Sequence, residues 1–460
     1  MDIEAQLIDL LGPDTVSVTN EDMVKYGQDM TEDFVFQPDV VVTPASVEQV
    51  SALMKWCTQN HVIVTPRGAG TGLSGASLPI AKGVLLSMEK FNQILDIDEA
   101  NMQATVESGV INDVLRHAVE RVDLFYPPDP ASKGSCFIGG NVAHNSGGPK
   151  AVKYGVTKDY ILNLEVVLPN GEVIWTGSNT LKNSTGYSLT QLFLGSEGTL
   201  GIITKVVVRL IAKPKHNLLL WANVDLATTA CKAVSDIMKS GIVPSGLELM
   251  ERKGIDLACD QLNLSSPLEK NSQAALLIEV DGNEMDRLYA GCEQIGVVLE
   301  NHGVSDVLFA DSTEQKEAWW KIRRSIGEVV KNHSTYKEQD TVVKRSHLAE
   351  LMAGVKEIGK RYNFESVCYG HAGDGNLHVN ILKNDLTDEE WNGAHLENGI
   401  REIFRLCKAL GGTISGEHGI GYVQKKFMNE VLTDTHLSLM RGIKKAFDPL
   451  GIMNPGKIFD

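Results

Sequence analysis

Two short motifs towards the C-terminal end of the chain combine histidine with a carboxylate. HAGDGNLH contains His371 and His378, and GEHGIG carries Glu417 beside His418. The glycines between the first two histidines disfavour a helix, so we predict a loop that runs into a strand, NLHVNIL. Two imidazoles and a carboxylate that leave coordination positions open suit Zn²⁺, Mn²⁺ or Fe²⁺. On the residues alone, the commoner alternative is a set of ordinary hydrogen-bonded polar side chains.

The predicted strand NLHVNIL would carry unlike residues on its two faces. Successive side chains of a strand point to opposite sides, so Asn376, His378 and Asn380 share one face. The other face is aliphatic. Because two amides and an imidazole are too polar for an ordinary core, we predict that the first face lies outside the core.

The segment VTPRGAGTGLSGAS (64–77) is dense in glycine. Glycine lets backbone N–H groups turn towards an anion, and Arg67 adds a fixed charge, so the segment indicates pyrophosphate binding. It contains a formal GxGxxG, but a Rossmann NAD site needs a helix directly afterwards. The following residues, ASLPIAKG (76–83), are too broken for a helix. A Rossmann site is therefore disfavoured, and a plain glycine loop remains the alternative.

Two further glycine clusters lie in the first half of the chain. YPPDPASKGSCFIGGNVAHNSGGPK begins at Tyr126 and brackets small polar residues with two glycine pairs. LFLGSEGTLGII begins at Leu192 and places Glu197 among glycines before a predicted strand. Long glycine-rich segments have a high conformational entropy when unfolded, so a mere connection is a poor explanation. Close approach of the backbone to a large flat ligand explains them better.

Composition excludes several classes of protein. The 460 residues carry a net charge of −16, which disfavours nucleic acid and anionic lipid as partners. No stretch approaches the length of an apolar membrane span, and the first residues show no export signal, so we expect a cytoplasmic protein. The 7 cysteines are dispersed without a CxxC, which argues against disulfides, cysteine-bound zinc and an iron–sulfur cluster. We expect reduced, mostly buried thiols.

The patterning predicts an α+β protein. Residues 47–60 have helical apolar spacing between two β-branched runs, which indicates a strand–helix–strand crossover with a parallel pair. Asn170-Gly171 between two apolar runs predicts a hairpin. Beyond KPKHN (213–217), strands alternate with helices, as in a sheet with helices on one face. The patterning places a domain boundary near residue 213, with one α+β domain over 1–212 before it.

Taken together, the three glycine clusters, HAGDGNLH and GEHGIG resemble a known family, the vanillyl-alcohol oxidase or PCMH-type FAD-binding superfamily. The resemblance is strongest to its D-2-hydroxy-acid dehydrogenase group: the glycolate oxidase D-subunit, D-lactate dehydrogenase and D-2-hydroxyglutarate dehydrogenase. It extends from about VVVTPASVEQV to the C-terminus. It implies a two-subdomain FAD-binding domain (1–212), an α+β substrate (cap) domain (213–410) and a C-terminal helical segment (411–460) that completes the active site and returns to the first domain.

The resemblance also assigns roles to individual residues. FAD would be bound non-covalently, because residues 65–77 contain no histidine for attachment. The implied FAD-binding residues are Pro66, Arg67, Gly68, Ala69, Gly70, Thr71, Gly72, Leu73, Ser74, Pro128, Ser132, Gly139, Gly140, Asn145, Ser146, Gly147, Gly155, Glu197, Gly198, Gly201, Ile203 and Asn454. The implied roles in the second half are metal binding by His371, His378 and Glu417, base catalysis by His418, carboxylate binding by Arg323 and a place near the substrate for Asn380.

The implied reaction is oxidation of a D-2-hydroxy acid to the 2-oxo acid, with a hydride passing from Cα to flavin N5. His418 would remove the hydroxyl proton, and a divalent metal, zinc or else manganese or iron, would lower that hydroxyl's pKa. D-lactate and glycolate are the favoured substrates, with D-2-hydroxyglutarate as an alternative. Relatives carry a valine-proline-arginine pattern where this chain has Lys344 in QDTVVKRSHL, which leaves the substrate size open.

The expected partners are a small 2-hydroxy acid and a separate electron acceptor. No iron–sulfur motif lies on the chain, so electrons would pass to an electron-transferring flavoprotein, a quinone-linked partner or an iron–sulfur subunit. A homodimer is compatible with the sequence. Two rival functions are the flavin-dependent alkylglycerone-phosphate synthase reaction and a non-catalytic flavin subunit of a larger complex. The complete HAGDGNLH and GEHGIG motifs argue against both.

Overall fold

A computed structural model describes residues 3–31, 34–304 and 306–459 of the chain. Internal contacts divide the chain into two units. The first unit comprises Met1–Gly147, Val156–Lys213 and Glu417–Asp460, and the second comprises Gly148–Gly155 and Pro214–Gly416. The predicted boundaries at 212 and 410, as limits of independent domains, stay predictions. Within the described ranges, no helix combines the length and apolar character that a bilayer crossing needs.

The elements are numbered in chain order. The strands are β1 (Val16–Ser17), β2 (Val40–Val42), β3 (Val64–Arg67), β4 (Val84–Ser87), β5 (Ile94–Asp98), β6 (Gln103–Glu107), β7 (Leu124–Phe125), β8 (Ile161–Val167), β9 (Val173–Trp175), β10 (Ile202–Arg209), β11 (Ile211–Ala212), β12 (His216–Val224), β13 (Gly246–Glu251), β14 (Ala274–Gly282), β15 (Val307–Phe309), β16 (Tyr336–Val342), β17 (Glu365–Gly370) and β18 (Asn376–Leu382). The helices are α1 (Ile3–Leu11), α2 (Asn20–Tyr26), α3 (Val47–Asn60), α4 (Asn112–Glu120), α5 (Ile138–His144), α6 (Ala151–Tyr154), α7 (Leu189–Phe193), α8 (Ala227–Lys239), α9 (Arg252–Leu262), α10 (Met285–Asn301), α11 (Thr313–His333), α12 (Leu348–Arg361), α13 (Asp388–Asn392), α14 (Ala394–Ala409), α15 (Met428–Val431) and α16 (Asp434–Phe447).

The first unit contains two main sheets. One has the order β1-β2-β4-β3, in which β2 and β3 both run parallel to β4. The other has the order β5-β6-β10-β8-β9 and is antiparallel throughout. Strands β7 and β11 form a small antiparallel pair. Apolar side chains of α1, α3 and the parallel sheet, with Met453 from the C-terminal segment, form one core cluster.

The second unit is built on one antiparallel sheet with the order β15-β12-β14-β13-β17-β18-β16. Its helix α11 packs through Trp319, Ile322 and Ile326 into a core cluster with residues of β12, β13 and β14. The side chain of Ser312 caps this helix by accepting a hydrogen bond from the N–H of Gln315. His371 directly follows β17, His378 lies on β18, which pairs with β16 and β17, and Arg323 lies on α11, so these elements position that part of the site.

Most predicted elements are confirmed, with two corrections. The predicted helix 47–60 is α3, and the predicted hairpin joins β8 to β9 with Gly171 at φ +81°. The predicted parallel pair is corrected: β2 and β3 are parallel in one sheet, but β4 lies between them. The prediction that one face of NLHVNIL lies outside the core is wrong, because every residue of β18 is buried. All 7 cysteines are buried and unpaired.

Candidate active site

The glycine loop of the first unit borders two adjoining clefts. A cleft of about 580 Å³ and another of about 860 Å³ share Gly68, Ser77, Gly140 and His144, so they form a continuous path. Predicted FAD residues lining the smaller cleft are Pro66, Arg67, Gly68, Gly139, Gly140, Glu197, Gly198, Gly201 and Ile203. Those lining the larger cleft are Gly68, Ala69, Gly70, Thr71, Gly72, Leu73, Ser132, Gly140 and Ser146. A long, divided cleft of this kind suits an extended two-part ligand.

The glycine loop begins where strand β3 ends, at Arg67. The guanidinium of Arg67 is buried against Gly70, and burial lowers its pKa. Among the groups whose charges oppose that shift, Asp29 acts most strongly, and its carboxylate accepts a hydrogen bond of 3.0 Å from the hydroxyl of Ser77. A fixed positive charge therefore lies directly beneath a loop of backbone N–H groups, which is the arrangement that favours an anion.

The space beside Gly140 shows whether the cleft can accept the flat ring system of FAD. A Cβ atom built on Gly140 would have no atom within 4 Å, so its bare backbone faces the open space of both clefts. A flat ring system needs such a wall, because any side chain would fill the space that the ligand takes. The lining residues therefore fit a flavin nucleotide.

The GEHGIG motif runs along the larger of these clefts. Glu417 and His418 line it together with the glycine loop. His144 Nδ1 lies 2.9 Å from the backbone oxygen of His418. A Cβ on Gly147 would approach Glu417 Oε2 to 2.8 Å, so the close approach of Glu417 depends on glycine there. The predicted base and one predicted metal ligand therefore border the same cleft as the predicted FAD loop.

Glu197 fixes the C-terminal side of this motif. Its two carboxylate oxygens accept hydrogen bonds from the N–H groups of Ile420 at 2.8 Å and Gly421 at 2.7 Å. The side chain is buried, and burial raises its pKa above the usual range of a glutamate. Glu197 therefore lines the smaller cleft while its carboxylate orients the backbone beyond His418.

In the second unit, the two predicted metal-binding histidines are neighbours. His371 follows β17, and His378 lies on the adjacent antiparallel strand β18. The turn between them needs Gly375 at φ +77°, where a side chain would also clash with the backbone of Val343. The two imidazole rings lie 5.5 Å apart between centroids and are nearly perpendicular. Two neighbouring imidazoles are a donor set that suits a divalent transition metal.

Glu248 lies behind His371 on strand β13. Both of its carboxylate oxygens lie 2.9 Å from His371 Nδ1, and Oε2 lies 2.6 Å from Arg323 Nη2. Its exposure is 0%, and burial alone would raise its pKa. The charges and hydrogen bonds of His371 and Arg323 reverse this effect and hold the pKa of Glu248 below its usual range.

Arg323 and Asn380 present polar atoms that suit an oxygen-rich substrate. The Nε of Arg323 and both side-chain polar atoms of Asn380 are buried without a hydrogen bond among the described residues. The guanidinium of Arg323 lies over the ring of Tyr369, 5.0 Å from its centroid. Buried polar groups are normally hydrogen-bonded, so these groups indicate a place for a polar ligand.

Comparison with known proteins decides the family. Residues 213–458 match the C-terminal domain of FAD-linked oxidases, and residues 38–177 match an FAD-binding domain. The chain belongs to the FAD-linked oxidases. It is 38% identical to glycolate oxidase subunit GlcD of Bacillus subtilis (100% of this chain, 97% of the relative) and 36% identical to D-lactate dehydrogenase of Anaerostipes hadrus (96% and 92%). It is 32% identical to D-2-hydroxyglutarate dehydrogenase of Stutzerimonas stutzeri (99% and 98%).

The predicted family, fold class and oxidoreductase activity are therefore confirmed, as is FAD as the cofactor of the FAD-binding domain. Among solved structures, p-cresol methylhydroxylase with substrate bound superposes with a TM-score of 0.78 at 17% identity, over 99% of this chain and 96% of that one. An alkyldihydroxyacetonephosphate synthase superposes with a TM-score of 0.75 at 18% identity, over 98% and 85%. At such identity these two likenesses show the fold alone.

Some residues that the resemblance assigned to FAD make other contacts in this FAD-linked oxidase. The Ser74 backbone oxygen accepts hydrogen bonds from Tyr422 and Val423, and the Pro128 oxygen accepts one from Asn112. The Asn145 side chain accepts one from the backbone N–H of Lys158. Gly155 ends α6 in the second unit, at φ +86°. Asn454 donates from Nδ2 to the backbone oxygens of Ala76 and Glu197, which ties the C-terminal segment to two of the glycine clusters.

Sequence reasoning missed Glu248 and gave Glu197 only a cofactor role. Glu248 stands in the strand GLELME between Leu247 and Leu249, on a strand whose residues 246–250 are all buried. A carboxylate enclosed by aliphatic residues on a central strand is costly unless it is paired. That conflict was the available signal, but its partners, Arg323 and His371, lie far away along the chain.

Proposed function

We propose that this FAD-linked oxidase oxidises a D-2-hydroxy acid to the 2-oxo acid, with FAD bound non-covalently and a divalent metal bound by His371, His378 and Glu417. D-lactate and glycolate are the favoured substrates, and D-2-hydroxyglutarate is the alternative. The observation that carries the proposal is that Glu417 and His418 line the cleft bordered by the glycine loop. A base and a metal ligand at the wall of a flavin cleft suit oxidation of an alcohol carbon.

The groups of the second unit suit the rest of a 2-hydroxy acid. Arg323 can hold a carboxylate through its unsatisfied Nε edge, because guanidinium and carboxylate match in geometry and charge. Asn380 can donate to or accept from a substrate oxygen. Relatives named for glycolate, D-lactate and D-2-hydroxyglutarate support this substrate class, since each shares at least 32% identity over nearly the full chain.

In the proposed reaction His418 removes the proton of the substrate hydroxyl. A neutral imidazole titrates in the range that suits this step near neutral pH. Its backbone is fixed on one side by His144 and on the other by the hydrogen bonds of Glu197 to residues 420 and 421. Bound FAD supplies acceptance of two electrons and a hydrogen, and a bound divalent cation supplies stabilisation of an alkoxide.

Anaerobic reduction of the bound flavin tests this proposal. The FAD-loaded protein is mixed with D-lactate, glycolate, D-2-hydroxyglutarate or L-lactate, with and without prior chelator treatment, and bleaching of the flavin absorbance is recorded. We expect bleaching by at least one of the first three acids, slower bleaching by L-lactate, and loss of bleaching after chelation that Zn²⁺ or Mn²⁺ restores. A flavin that none of these acids reduces would contradict the proposal.

Replacement of the proposed base sharpens the test. His418→Ala should retain the flavin absorbance but bleach about 10²–10⁴-fold more slowly, the usual contribution of a positioned base. His117→Ala is the matched control, because His117 is exposed on α4 and lies outside both clefts. Bleaching of His418→Ala at the control rate would remove His418 from the role of base.

A further inference from the structure

Glu248 occupies a position in the second unit where burial of a charged carboxylate is energetically unfavourable. It is fully buried on β13, and the neighbouring positions Leu247 and Leu249 are buried as well. A lone buried charge would be strongly unfavourable, so its retention needs partners. Two partners are present: Arg323 Nη2 at 2.6 Å and His371 Nδ1 at 2.9 Å. Glu248 therefore connects the two side chains that the proposed function uses for the substrate carboxylate and the metal.

The contact between Glu248 and His371 determines which ring nitrogen of His371 carries the hydrogen. An ionised carboxylate only accepts hydrogen bonds, so a contact of 2.9 Å to both of its oxygens requires a hydrogen on Nδ1. The lone pair of a neutral His371 then lies on Nε2. A histidine whose Nδ1–H is held by a carboxylate is oriented and made more basic for metal binding through Nε2.

Arg323 stabilises the ionised form of the buried Glu248 side chain. Its guanidinium supplies the opposite charge, and the ion pair leaves the carboxylate oxygens shared between a permanent cation and the imidazole. Arg323 is itself fixed over Tyr369, so the cation that anchors the carboxylate is held in place. The direction in which His371 points is thus set by a chain of buried contacts through Glu248.

We propose that Glu248 is a positioning residue that holds His371 in the Nδ1–H tautomer and in the orientation that binds a divalent metal through Nε2, with Arg323 as its charged anchor. This inference rests on the proposed function, because it assumes that His371 is a metal ligand. It adds a residue that touches neither substrate nor cofactor and whose loss lowers metal affinity.

The same sheet offers a matched control, Glu279 on strand β14. Glu279 is also buried, and it forms a 2.7 Å ion pair with Lys150 and accepts a 2.9 Å hydrogen bond from Trp320 Nε1. Among the described residues, its carboxylate accepts hydrogen bonds from Lys150, Asn217 and Trp320, rather than from His371 or Arg323. Glu279→Gln therefore removes a paired, buried charge from the same sheet without touching the metal-binding histidines.

The experiment measures Zn²⁺ affinity of the FAD-loaded protein by competition with a chromogenic chelator. We expect Glu248→Gln to weaken Zn²⁺ binding by about 10–100-fold, the usual effect of removing a residue that orients a ligating histidine. Glu248→Asp, which keeps the charge on a shorter side chain, should recover part of that loss. Glu279→Gln should bind Zn²⁺ as the unsubstituted protein does. Equal Zn²⁺ affinities of Glu248→Gln and Glu279→Gln would overturn the inference.

A measurement on the unsubstituted protein keeps the inference testable if the variants do not fold. Long-range ¹H–¹⁵N correlation spectra of the metal-free protein, labelled at histidine, should show His371 with hydrogen on Nδ1. The Nε2–H tautomer would overturn the inference. Failure of the proposed function looks different: the unsubstituted, FAD-loaded protein would then bind no Zn²⁺ and none of the tested acids would bleach it, and both proposals would fall together.

Discussion

Glu197 in the first unit and Glu248 in the second are both buried carboxylates, yet their pKa values shift in opposite directions. Glu197 accepts from two backbone N–H groups, and burial raises its pKa. Glu248 meets an arginine and a histidine, which more than offset burial and lower its pKa. Burial is nearly the same, with exposures of 5% and 0%, so the sign depends on whether nearby charges outweigh burial: His144 and Lys457 do not do so for Glu197, whereas His371 and Arg323 do so for Glu248.

A buried lysine of the first unit and a half-buried lysine of the second show a similar contrast. Lys457 of the first unit donates to the backbone oxygens of Ala76 and Leu78 and to Asn454 Oδ1, and burial lowers its pKa to about 7. Burial would lower the pKa of Lys356 in the second unit, but its interactions with Cys368 and with the Glu251 carboxylate, 2.8 Å from its Nζ, raise that pKa. Around the glycine loop, the opposite charges near Glu197 and Lys457 do not offset burial, whereas in the second unit the charges and hydrogen bonds around Glu248 and Lys356 outweigh it.

The largest expected loss of stability comes from removing the carboxylate of Glu248 in the second unit. Glu248→Ala leaves Arg323 buried without its counter-charge, and we expect the free energy of unfolding to fall by about 3–5 kcal/mol. Chemical unfolding of the FAD-free protein measures this loss. Glu357→Ala, which removes an exposed ion pair with Lys360, should leave stability nearly unchanged. If Glu248→Ala lost as little stability as Glu357→Ala, the claim that the buried groups of the second unit depend on opposite charges would be contradicted.

Because its pKa is lowered, Lys457 should make the free energy of unfolding depend on pH. Because its folded pKa of about 7 lies below the ordinary 10.5, the folded state releases the proton first as pH rises. The unfolded state then binds more protons, so this group makes the protein more stable with rising pH above about 7, by about 1.4 kcal/mol per pH unit. Below pH 7 the full cost of the buried ammonium remains.

Lys457→Met removes this titration. Relative to the variant, the unsubstituted protein should therefore gain about 2–3 kcal/mol between pH 7 and pH 9, measured by chemical unfolding at both values. Lys445→Met, at an exposed position of α16, should show the pH dependence of the unsubstituted protein. If Lys457→Met also retained that dependence, the charges of Asp29 and Glu197 would offset the burial of Lys457, and the contrast with Lys356 would fail.

Local patterns of the sequence predicted the elements well, because their causes are local. Helix α3 has its Ser46 cap and its apolar spacing within one short segment, and the Asn170-Gly171 turn lies between its own two strands. The order of strands is different, since nothing in β2 or β3 shows that β4 lies between them. Sheet order depends on contacts between distant segments, which a single sequence does not display.

The residues of the site likewise fall into those that the local sequence predicts and those that depend on distant segments. Residues 66–73 were predictable because a dense glycine run reflects a local need for close backbone approach, and all of them line one or the other of the two clefts. Glu248 was not, because its partners on α11 and after β17 lie 75 and 123 positions further along the chain. The buried face of β18 was mispredicted for a related reason: its amides and imidazole are polar but are enclosed by residues of other strands.

The smallest effect should come from Glu197. In Glu197→Gln one amide oxygen can still accept from Ile420 or Gly421, but the other N–H loses its acceptor, so we expect a loss of about 1–2 kcal/mol at neutral pH. Because the raised pKa means that the folded state binds the proton more tightly than the unfolded state, ionisation of Glu197 opposes folding. As pH falls from 7 towards 4.5, the unsubstituted protein should gain stability relative to Glu197→Gln. Relative to Glu248→Gln, the unsubstituted protein should gain no stability over the same interval. Thermal unfolding midpoints of the two variants across this interval measure the difference. Equal slopes would mean that the N–H groups of residues 420 and 421 stabilise the carboxylate as well as two cations do.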